Sequence, residues 1–316
     1  MTPPAATAGG VNIVEGIVES WRQRARACPA RVVLADGHDE RAVAAARRLD
    51  AESLAVPVLL DDAGKFRSAA TQAQLETSPW RERIDPDDPL HVAALMVAAG
   101  EADACVAGVS RPTPDVVRAA LFCIGRAPGV DIVSSCFLLV LPDGTPVTYA
   151  DCGVVPQPDE DQLASIAVSS AATHRELTGT EPRVAMLSYS TKGSADGPRV
   201  ELVRSATEAV RGRAPALIVD GELQFDAAWD AAVAELKAPA SPVAGRANVF
   251  VFPDLSSANI AYKITQRLAG ARAFGPLLQG TAGVIHDLSR GADVDDIVTV
   301  ALIAACQSVG GRSLVS

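Results

Sequence analysis

Apolar residues near the start of the chain recur first with a helical period and then in a short unbroken run. Their spacing over residues 11–28 predicts an amphipathic helix, which Pro29 ends. Residues 31–35 hold an apolar run that predicts a buried strand. A polar turn then leads to an alanine-rich helical stretch at residues 41–49. The order strand, loop, helix is the unit from which parallel sheets are built.

The same unit recurs along the chain. Apolar runs that predict strands, each followed by a helical pattern, lie at residues 54–60, 104–108, 183–189, 216–220 and 248–253. Repeated strand and helix units of this kind predict an α/β fold with largely parallel sheets.

One segment departs from this order. Residues 132–141 and 146–151 are two strand-like runs separated by the turn sequence Pro142-Asp143-Gly144, which predicts an antiparallel hairpin. Because Pro128-Gly129 interrupts regular secondary structure just before this hairpin, we expect a domain boundary near residue 128. A long helix follows the hairpin, up to about His174.

Length and composition narrow the class of protein. With 316 residues, 48% of them apolar, the chain is long enough for two packed α/β domains. The longest apolar runs, at residues 137–141 and 298–306, are too short to span a membrane, and residues 1–10 lack the features of a signal peptide. We therefore expect a cytoplasmic protein. A net charge of −10 argues against nucleic acid and anionic lipid as partners, so a phosphate-bearing ligand needs a local basic cluster.

The sequence lacks the motifs that are typical of several common kinds of binding and catalytic site. The six cysteines and four histidines are scattered without metal-ligand spacing, which argues against a zinc site or a disulfide framework. No dinucleotide, P-loop, zincin or nucleophile-elbow motif is found. The cysteines are expected to be small buried or half-buried thiols.

The most informative stretch is residues 286–297. It offers the hydroxyl of Ser289, the guanidinium of Arg290 and a group of carboxylates that precede an apolar helix. Two interpretations of these carboxylates stay open. Asp293 and Asp296 can form a capping box at the start of the helix, or Asp296 can be a functional carboxylate.

Several segments together resemble the phosphate acetyltransferase (phosphotransacetylase) family. The resemblance covers most of residues 104–306, and the segments that carry it follow one order along the chain. They are Arg183-Val-Ala-Met-Leu-Ser-Tyr-Ser-Thr-Lys-Gly193, Asp220-Gly-Glu-Leu-Gln224, Ser241-Pro-Val-Ala-Gly-Arg246, Phe252-Pro-Asp-Leu255, Asn259-Ile-Ala-Tyr-Lys263, Leu278-Gln-Gly280 and Asp287-Leu-Ser-Arg-Gly291 with Asp296.

The resemblance implies an architecture and a reaction. It implies two α/β domains with largely parallel sheets, of the isocitrate/isopropylmalate dehydrogenase type, with the active site in the interdomain cleft. The first domain would comprise residues 1–127 and 281–316, completed by the C-terminal helices, and the second residues 128–280. It also implies a homodimer that transfers acetyl between CoA and phosphate, with acetyl-CoA, phosphate and acetyl phosphate as ligands. CoA would be a substrate, with no bound cofactor, metal or covalent intermediate.

The resemblance also assigns roles to residues. Asp296 would be the base for the CoA thiol, Arg290 would balance the phosphate charge, and Ser289 would donate a hydrogen bond to the developing anion. It further implies substrate contacts to phosphate or CoA. These are Thr113, Arg118, Arg41, Ser190, Thr191 and Lys192. For the arginines, an ordinary solvated side chain is the open alternative, and Lys237 and Lys263 match family lysines but are more simply solvated residues.

The chain departs from the family pattern in places. Residues 83–90 lack a basic helical arm that family members commonly carry, so the affinity for CoA is expected to depend more on Arg118. In residues 34–41 Ala and Asp follow Leu34, where Pro and Glu are usual, and His286 stands where Asn is usual. Two alternative functions also stay open. One is a phosphate propionyl- or butyryltransferase, and the other is a non-catalytic regulatory module that senses acetyl-CoA.

Overall fold

The computed structural model describes residues 13–62 and 68–312, and the N-terminal segment at residues 1–10 lies outside these ranges. The described chain contains eleven α-helices and ten strands, and along much of its length strands and helices alternate as the sequence predicts. The helices are α1 Ile13–Ala27, α2 Glu40–Ala51, α3 Ala69–Thr77, α4 Pro89–Ala98, α5 Thr113–Ala119, α6 Glu160–Thr178, α7 Pro198–Arg213, α8 Phe225–Trp229, α9 Ala231–Lys237, α10 Leu255–Leu268 and α11 Val294–Arg312.

The strands build two sheets. They are β1 Arg31–Leu34, β2 Val56–Leu59, β3 Ala104–Ala107, β4 Ser134–Val140, β5 Pro146–Ala150, β6 Arg183–Leu187, β7 Ile218–Leu223, β8 Val249–Val251, β9 Arg272–Gln279 and β10 Val284–Asp287.

The first sheet has the strand order β10-β3-β1-β2, and every pairing in it is parallel. Three of its strands match predicted runs. The fourth, β10, comes from the far end of the chain, and the sequence analysis expected only helices there. Because β10 lies beside β3, the loop after β10 emerges at the same edge as the loop after β3.

The second sheet has the order β7-β6-β8-β5-β4-β9. Strands β4 and β5 form the predicted antiparallel hairpin, and β5, β8, β6 and β7 are parallel to one another. Strand β9, which was not predicted, pairs antiparallel with β4 at the edge of the sheet. Pro276 is tolerated there because an edge strand leaves one side unpaired. Gly275 adopts a φ of 149° where the register shifts, and a Cβ on it would lie 2.9 Å from the carbonyl oxygen of Cys136.

Local signals explain the helix ends. The long helix α6 begins with a capping box between Asp159 and Gln162 and ends at Gly179, which has a left-handed conformation. Asp88 caps α4, which starts with Pro89.

Helix α11 joins the two sheets. It packs on α1, α2 and β3 from the first side and on α6 and β9 from the second. Residues 300–306 are all buried, as expected for a helix that is apolar around its whole circumference. The start of α11 and the loop before it are therefore held where the two sheets meet. None of the helices in the described ranges is long and apolar enough to cross a membrane.

Candidate active site

The loop between β10 and α11 presents Ser289 and Arg290 at the surface, while Leu288 just before them is buried. Ser289 Oγ accepts a hydrogen bond from the backbone N–H of Gly291 at 3.2 Å, so its own proton is free to be donated. Within the described residues, the guanidinium of Arg290 makes no hydrogen bond or ion pair. The loop therefore exposes one donor hydroxyl and one unneutralised cation.

Two adjoining cavities meet at Ser289. One, which we call the Thr113 cavity, has a volume of about 330 Å³. Its walls come from both sheets and include Thr113, Cys152, Tyr262, Asp287, Ser289 and Arg290.

The other, the Asp296 cavity, measures about 380 Å³ and shares Ser289 and Tyr262 with the first. Lys263 and Arg267 of α10 also line it, together with Asp296. Both cavities thus lie between loops of the first sheet and elements of the second.

Asp296 takes part in the capping box that was one of its two interpretations. Its Oδ2 accepts the backbone N–H of Asp293 at 3.1 Å, and Asp293 Oδ1 accepts the N–H of Asp296 at 2.9 Å. The carboxylate is nevertheless exposed and lines its cavity beside Ser289. The capping role is confirmed, and it leaves Oδ1 available for a proton.

Arg41 uses all of its donors within the protein. Nε and Nη2 bond Asp39 at 3.0 and 2.8 Å, and Nη2 also bonds the carbonyl of Val109 at 3.2 Å. Nη1 bonds the carbonyls of Arg290 and Ala292 at 3.0 and 2.8 Å. A guanidinium has five N–H donors, so none is left for a phosphate in this conformation. Arg41 instead ties the β1–α2 and β3–α5 loops to the β10–α11 loop.

Asp36 fixes the neighbouring loop, and the sequence analysis assigned it no role. Its carboxylate accepts the backbone N–H groups of Gly108, Val109 and Ser110 at 3.0 to 3.2 Å, and the hydroxyl of Ser110. This bundle of bonds holds the β3–α5 segment that carries Thr113. Its only sequence signal is an acidic residue at the carboxyl end of a strand.

Thr113 and Asp287 form a pair at the floor of the Thr113 cavity. Thr113 Oγ1 donates to Asp287 Oδ2 at 2.5 Å. Asp287 is fully buried, and its Oδ1 finds no hydrogen-bond partner among the described residues. Burial raises the pKa of Asp287 to about 7, although the Thr113 hydroxyl and the nearby N–H of Leu288 oppose this shift. The sequence analysis had only placed Asp287 within a motif.

Other predicted site residues lie away from these cavities. Arg118 is exposed and pairs with Asp115 on the same helix. The side chain of Lys192 pairs with Asp220 at 2.5 Å, and Thr191 Oγ1 bonds Gln224 at 3.3 Å. Neither Arg118 nor the 190–192 loop lines the Thr113 or the Asp296 cavity.

The 190–193 loop does hold an anion, but the anion belongs to the chain itself. Glu222 Oε1 accepts bonds from Ser190 Oγ at 3.0 Å and from the N–H of Gly193 at 2.8 Å. Burial raises the pKa of Glu222, but bonds from Arg204 and Gly193 outweigh it and hold the pKa at about 2. Glu222 therefore stays ionised and occupies the loop.

The titratable groups that the structure describes elsewhere form no metal site. Within the described ranges no three His, Cys, Asp or Glu side chains are grouped so as to hold a metal ion. The described cysteines are unpaired, and all are buried except Cys28, which is exposed. Burial raises the pKa of Cys152 at the cavity wall, so its thiol is neutral.

Comparison with known proteins gives one consistent result. The family model described as phosphate acetyl/butaryl transferase matches residues 16–88 and 80–305. The two segments meet at residues 80–88, in the stretch where the sequence analysis expected a missing arm.

Individual relatives agree. The chain is 45% identical to a phosphate acetyltransferase of Paracoccus denitrificans, covering 90% of this chain and 97% of that one. It is 41% identical to the Clostridium acetobutylicum phosphate acetyltransferase, over 95% and 100%. A Streptococcus pyogenes phosphotransacetylase structure superposes with a TM-score of 0.87 at 37% identity, over 94% and 99% of the two chains. A branched-chain phosphotransacylase from Enterococcus faecalis, at 18% identity and a TM-score of 0.66, shares the fold.

Proposed function

Because the chain belongs to the phosphate acetyl/butaryl transferase family, we propose that the Thr113 and Asp296 cavities together form its active site. The resemblance found in the sequence is thereby confirmed, and the chain is an acyltransferase. Its reaction is the reversible conversion of acetyl-CoA and phosphate into acetyl phosphate and CoA.

The arrangement supports direct attack by a thiolate. In the direction of acetyl-CoA synthesis, Oδ1 of Asp296 takes the proton of the CoA thiol, and the sulfur attacks the carbonyl carbon of acetyl phosphate. Ser289 donates a hydrogen bond to the tetrahedral oxyanion. Collapse breaks the bond between the acyl carbon and the phosphate oxygen, and Arg290 balances the charge of the departing phosphate. The proton then passes from Asp296 to solvent.

The observation that carries this proposal is the guanidinium of Arg290, which no described residue engages and which lines the Thr113 cavity together with Thr113 and Ser289. Ser289 also lines the Asp296 cavity. We propose that the phosphate group lies in the Thr113 cavity and that CoA enters past α10. Arg118 stays a proposed ligand of the CoA phosphates. The substrate contacts predicted for Ser190, Thr191 and Lys192 are untested, and this proposal does not use them, because substrate would have to displace Glu222 and Asp220.

A thiol-release assay with acetyl-CoA and phosphate tests the proposal. Ser289→Ala should lower kcat by about 100-fold or more, as loss of one oxyanion donor does elsewhere. Ser308→Ala in α11, whose hydroxyl bonds its own helix, is the matched control and should keep wild-type kcat. Full activity of Ser289→Ala would contradict the assignment. Tight binding of acetyl-CoA without thiol release would instead support the regulatory module, and a higher kcat/KM for propionyl- or butyryl-CoA would support the alternative acyl donors.

We also propose a domain division, a cytoplasmic location and a homodimer. The division into residues 1–127 with 281–316 and 128–280 is supported by the two sheets, whose strands fall on either side of these limits. Unpaired cysteines support a cytoplasmic location, where thiols stay reduced.

A homodimer is supported by α10, which exposes Ile260, Ile264 and Leu268 at four-residue spacing, at 58%, 52% and 84% of their full exposure. Sedimentation of wild type and Ile264→Asp tests it, and a monomeric wild type would contradict it.

A further inference from the structure

The hydroxyl of Thr113 has a single proton to give. It donates that proton to Asp287 Oδ2 at 2.5 Å, while Thr113 also lines the cavity assigned above to the phosphate group. A hydroxyl that is donating to a carboxylate offers only lone pairs to other neighbours. Toward a phosphate anion those lone pairs are repulsive. As described, the pair favours an empty cavity.

Asp287 is built to gain a proton easily. It is fully buried, no cation bonds it, and its Oδ1 has no hydrogen-bond partner in the described part of the chain. Gly108 lies against it so closely that a Cβ there would be 2.3 Å from Oδ1. The nearby carboxylate of Asp36 is a like charge that raises the pKa of Asp287 further.

Among the described residues, no charged group on the surrounding elements forms a hydrogen bond or ion pair with Asp287. Elements β3, β9, α5 and α11 pack against β10. Arg111 of the β3–α5 loop makes two bonds to Asp88, and His286 of β10 bonds Gln307 of α11. The other described titratable side chains on these elements and on the cavity wall are the following: the thiols of Cys105, Cys152 and Cys306, the hydroxyl of Tyr262, Arg272 over the Phe274 ring, the pairs Asp115–Arg118 and Arg48–Asp295, Asp296 in its capping box, and Arg290.

We propose that Asp287 takes up one proton when a phosphate group binds beside Thr113, and that this proton reverses the hydrogen bond between them. The neutral carboxyl then donates to Thr113 Oγ1, and the Thr113 hydroxyl donates to a phosphate oxygen. The proton comes from solvent and returns there when the phosphate leaves, so no covalent bond changes in the substrate. Asp287 is thus a positioning residue that acts through Thr113. This inference rests on the phosphate subsite of the proposed function.

The device links phosphate affinity to pH. Below a pH of about 7 Asp287 is already protonated in the free protein, so phosphate binding takes up few additional protons. Above that pH each binding event must bring a proton with it. The affinity should then fall by up to about tenfold for each further unit of pH.

Calorimetric titration with acetyl phosphate in the absence of CoA measures this proton directly. Acetyl phosphate is the suitable probe because, as an acyl phosphate, it is a stronger acid than inorganic phosphate and is fully ionised at pH 8. Repeating the titration in two buffers of different ionisation enthalpy gives the number of protons taken up. Wild type should take up close to one proton per acetyl phosphate at pH 8, and much less at pH 6.

Two variants and one control isolate the pair. Asp287→Asn donates permanently to Thr113, so it should bind acetyl phosphate without proton uptake and with little pH dependence between pH 6 and 8. Thr113→Val keeps Asp287 but removes the hydroxyl, and it should bind weakly and without uptake. Glu176→Gln alters another carboxyl whose pKa burial raises, outside both cavities, and should keep the wild-type uptake.

The outcomes separate the inference from the proposed function. Wild type that is active and binds acetyl phosphate at pH 8 with no proton uptake would overturn the inference alone. So would Thr113→Val or Asp287→Asn with undiminished uptake. If wild type fails to bind acetyl phosphate or to release thiol, the proposed function itself fails.

Discussion

Two loops of this chain carry nearly the same side chains but differ in whether a carboxylate of the protein already binds them. The β10–α11 loop carries Ser289, Arg290 and Gly291, and the 190–193 loop carries two hydroxyls, Lys192 and a glycine. Both follow the carboxyl end of a parallel strand, where ligands bind in α/β sheets. In the second loop the chain's own Glu222 fills the place of an anion. In the first, no described carboxylate bonds Arg290.

The difference lies in what the neighbouring strand contributes. Strand β7 brings Asp220 and Glu222, both buried, under the 190–193 loop, and buried carboxylates need partners. The neighbour of the β10–α11 loop contributes Thr113, and Arg41 binds the loop only through backbone carbonyls. This difference is why we propose the β10–α11 loop, and not the 190–193 loop, as the phosphate site.

The largest effect is expected at Arg290. Arg290→Ala removes the one guanidinium in the Thr113 cavity that no described residue engages, and we expect kcat/KM for acetyl phosphate to fall by roughly 1,000-fold. Steady-state kinetics measures this, with the thermal midpoint unchanged because the side chain is exposed. Arg175→Ala, which alters an exposed arginine paired with Glu181, is the control. A loss of less than tenfold would remove Arg290 from the mechanism.

A smaller loss is expected at Asp296, where the capping and catalytic interpretations give different outcomes. Asp296→Asn keeps most of the capping ability but cannot accept a proton, so kcat should fall by about 100-fold while the thermal midpoint barely moves. Differential scanning calorimetry and the thiol-release assay together decide the point. If the variant loses about 1 kcal/mol of unfolding free energy but keeps the wild-type kcat, the role of Asp296 is helix capping and not catalysis.

Arg41 should matter less, and through kcat. Arg41→Ala frees the carbonyls of Arg290 and Ala292 and loosens the loop, for which we expect about a 10-fold to 100-fold fall in kcat with a small change in the KM for phosphate. Arg41→Lys cannot make the same set of bonds and should resemble the alanine variant. If the KM for phosphate rises steeply while kcat holds, Arg41 binds substrate after all.

A separate prediction concerns the stability of the fold and not catalysis, and it depends on Asp287. Its folded pKa of about 7 lies above the ordinary value of 3.8, so the folded state binds a proton that the unfolded state has lost. The contribution of Asp287 to the free energy of unfolding is therefore largest below pH 4, and it is lost as the pH rises to about 7.

Asp287→Asn has no such loss, so its stability relative to wild type should improve by at most about 4 kcal/mol across that range. Chemical denaturation at several pH values measures it. A constant difference between the two proteins would contradict the pKa shift.

Much of the fold could be predicted from the sequence because period and turn residues are local signals. The units up to β3, the hairpin of β4 and β5, and the strands β6 to β8 follow directly from such patterns. Strand β9 was not predicted because Gly275-Pro276 interrupts its apolar run. Strand β10 was not predicted because only its first two residues, Val284 and Ile285, are apolar.

The site could be predicted only in part. Ser289, Arg290, Asp296 and Thr113 were identified by resemblance, and all four line the cavities. The long-range contacts of Arg41 could not be predicted, because these partners are backbone carbonyls of residues 68 to 251 positions away. The pairing of Glu222 with the 190–193 loop could not be predicted either, since it depends on the register between β6 and β7.

The central claim is that the β10–α11 loop binds the phosphate group and that the 190–193 loop does not. Calorimetric affinities for acetyl phosphate, measured side by side on Arg290→Ala and Lys192→Ala, test it most directly. We predict a loss of about 100-fold or more for Arg290→Ala and less than about twofold for Lys192→Ala. The reverse order, with Lys192→Ala losing affinity and Arg290→Ala keeping it, would contradict the account.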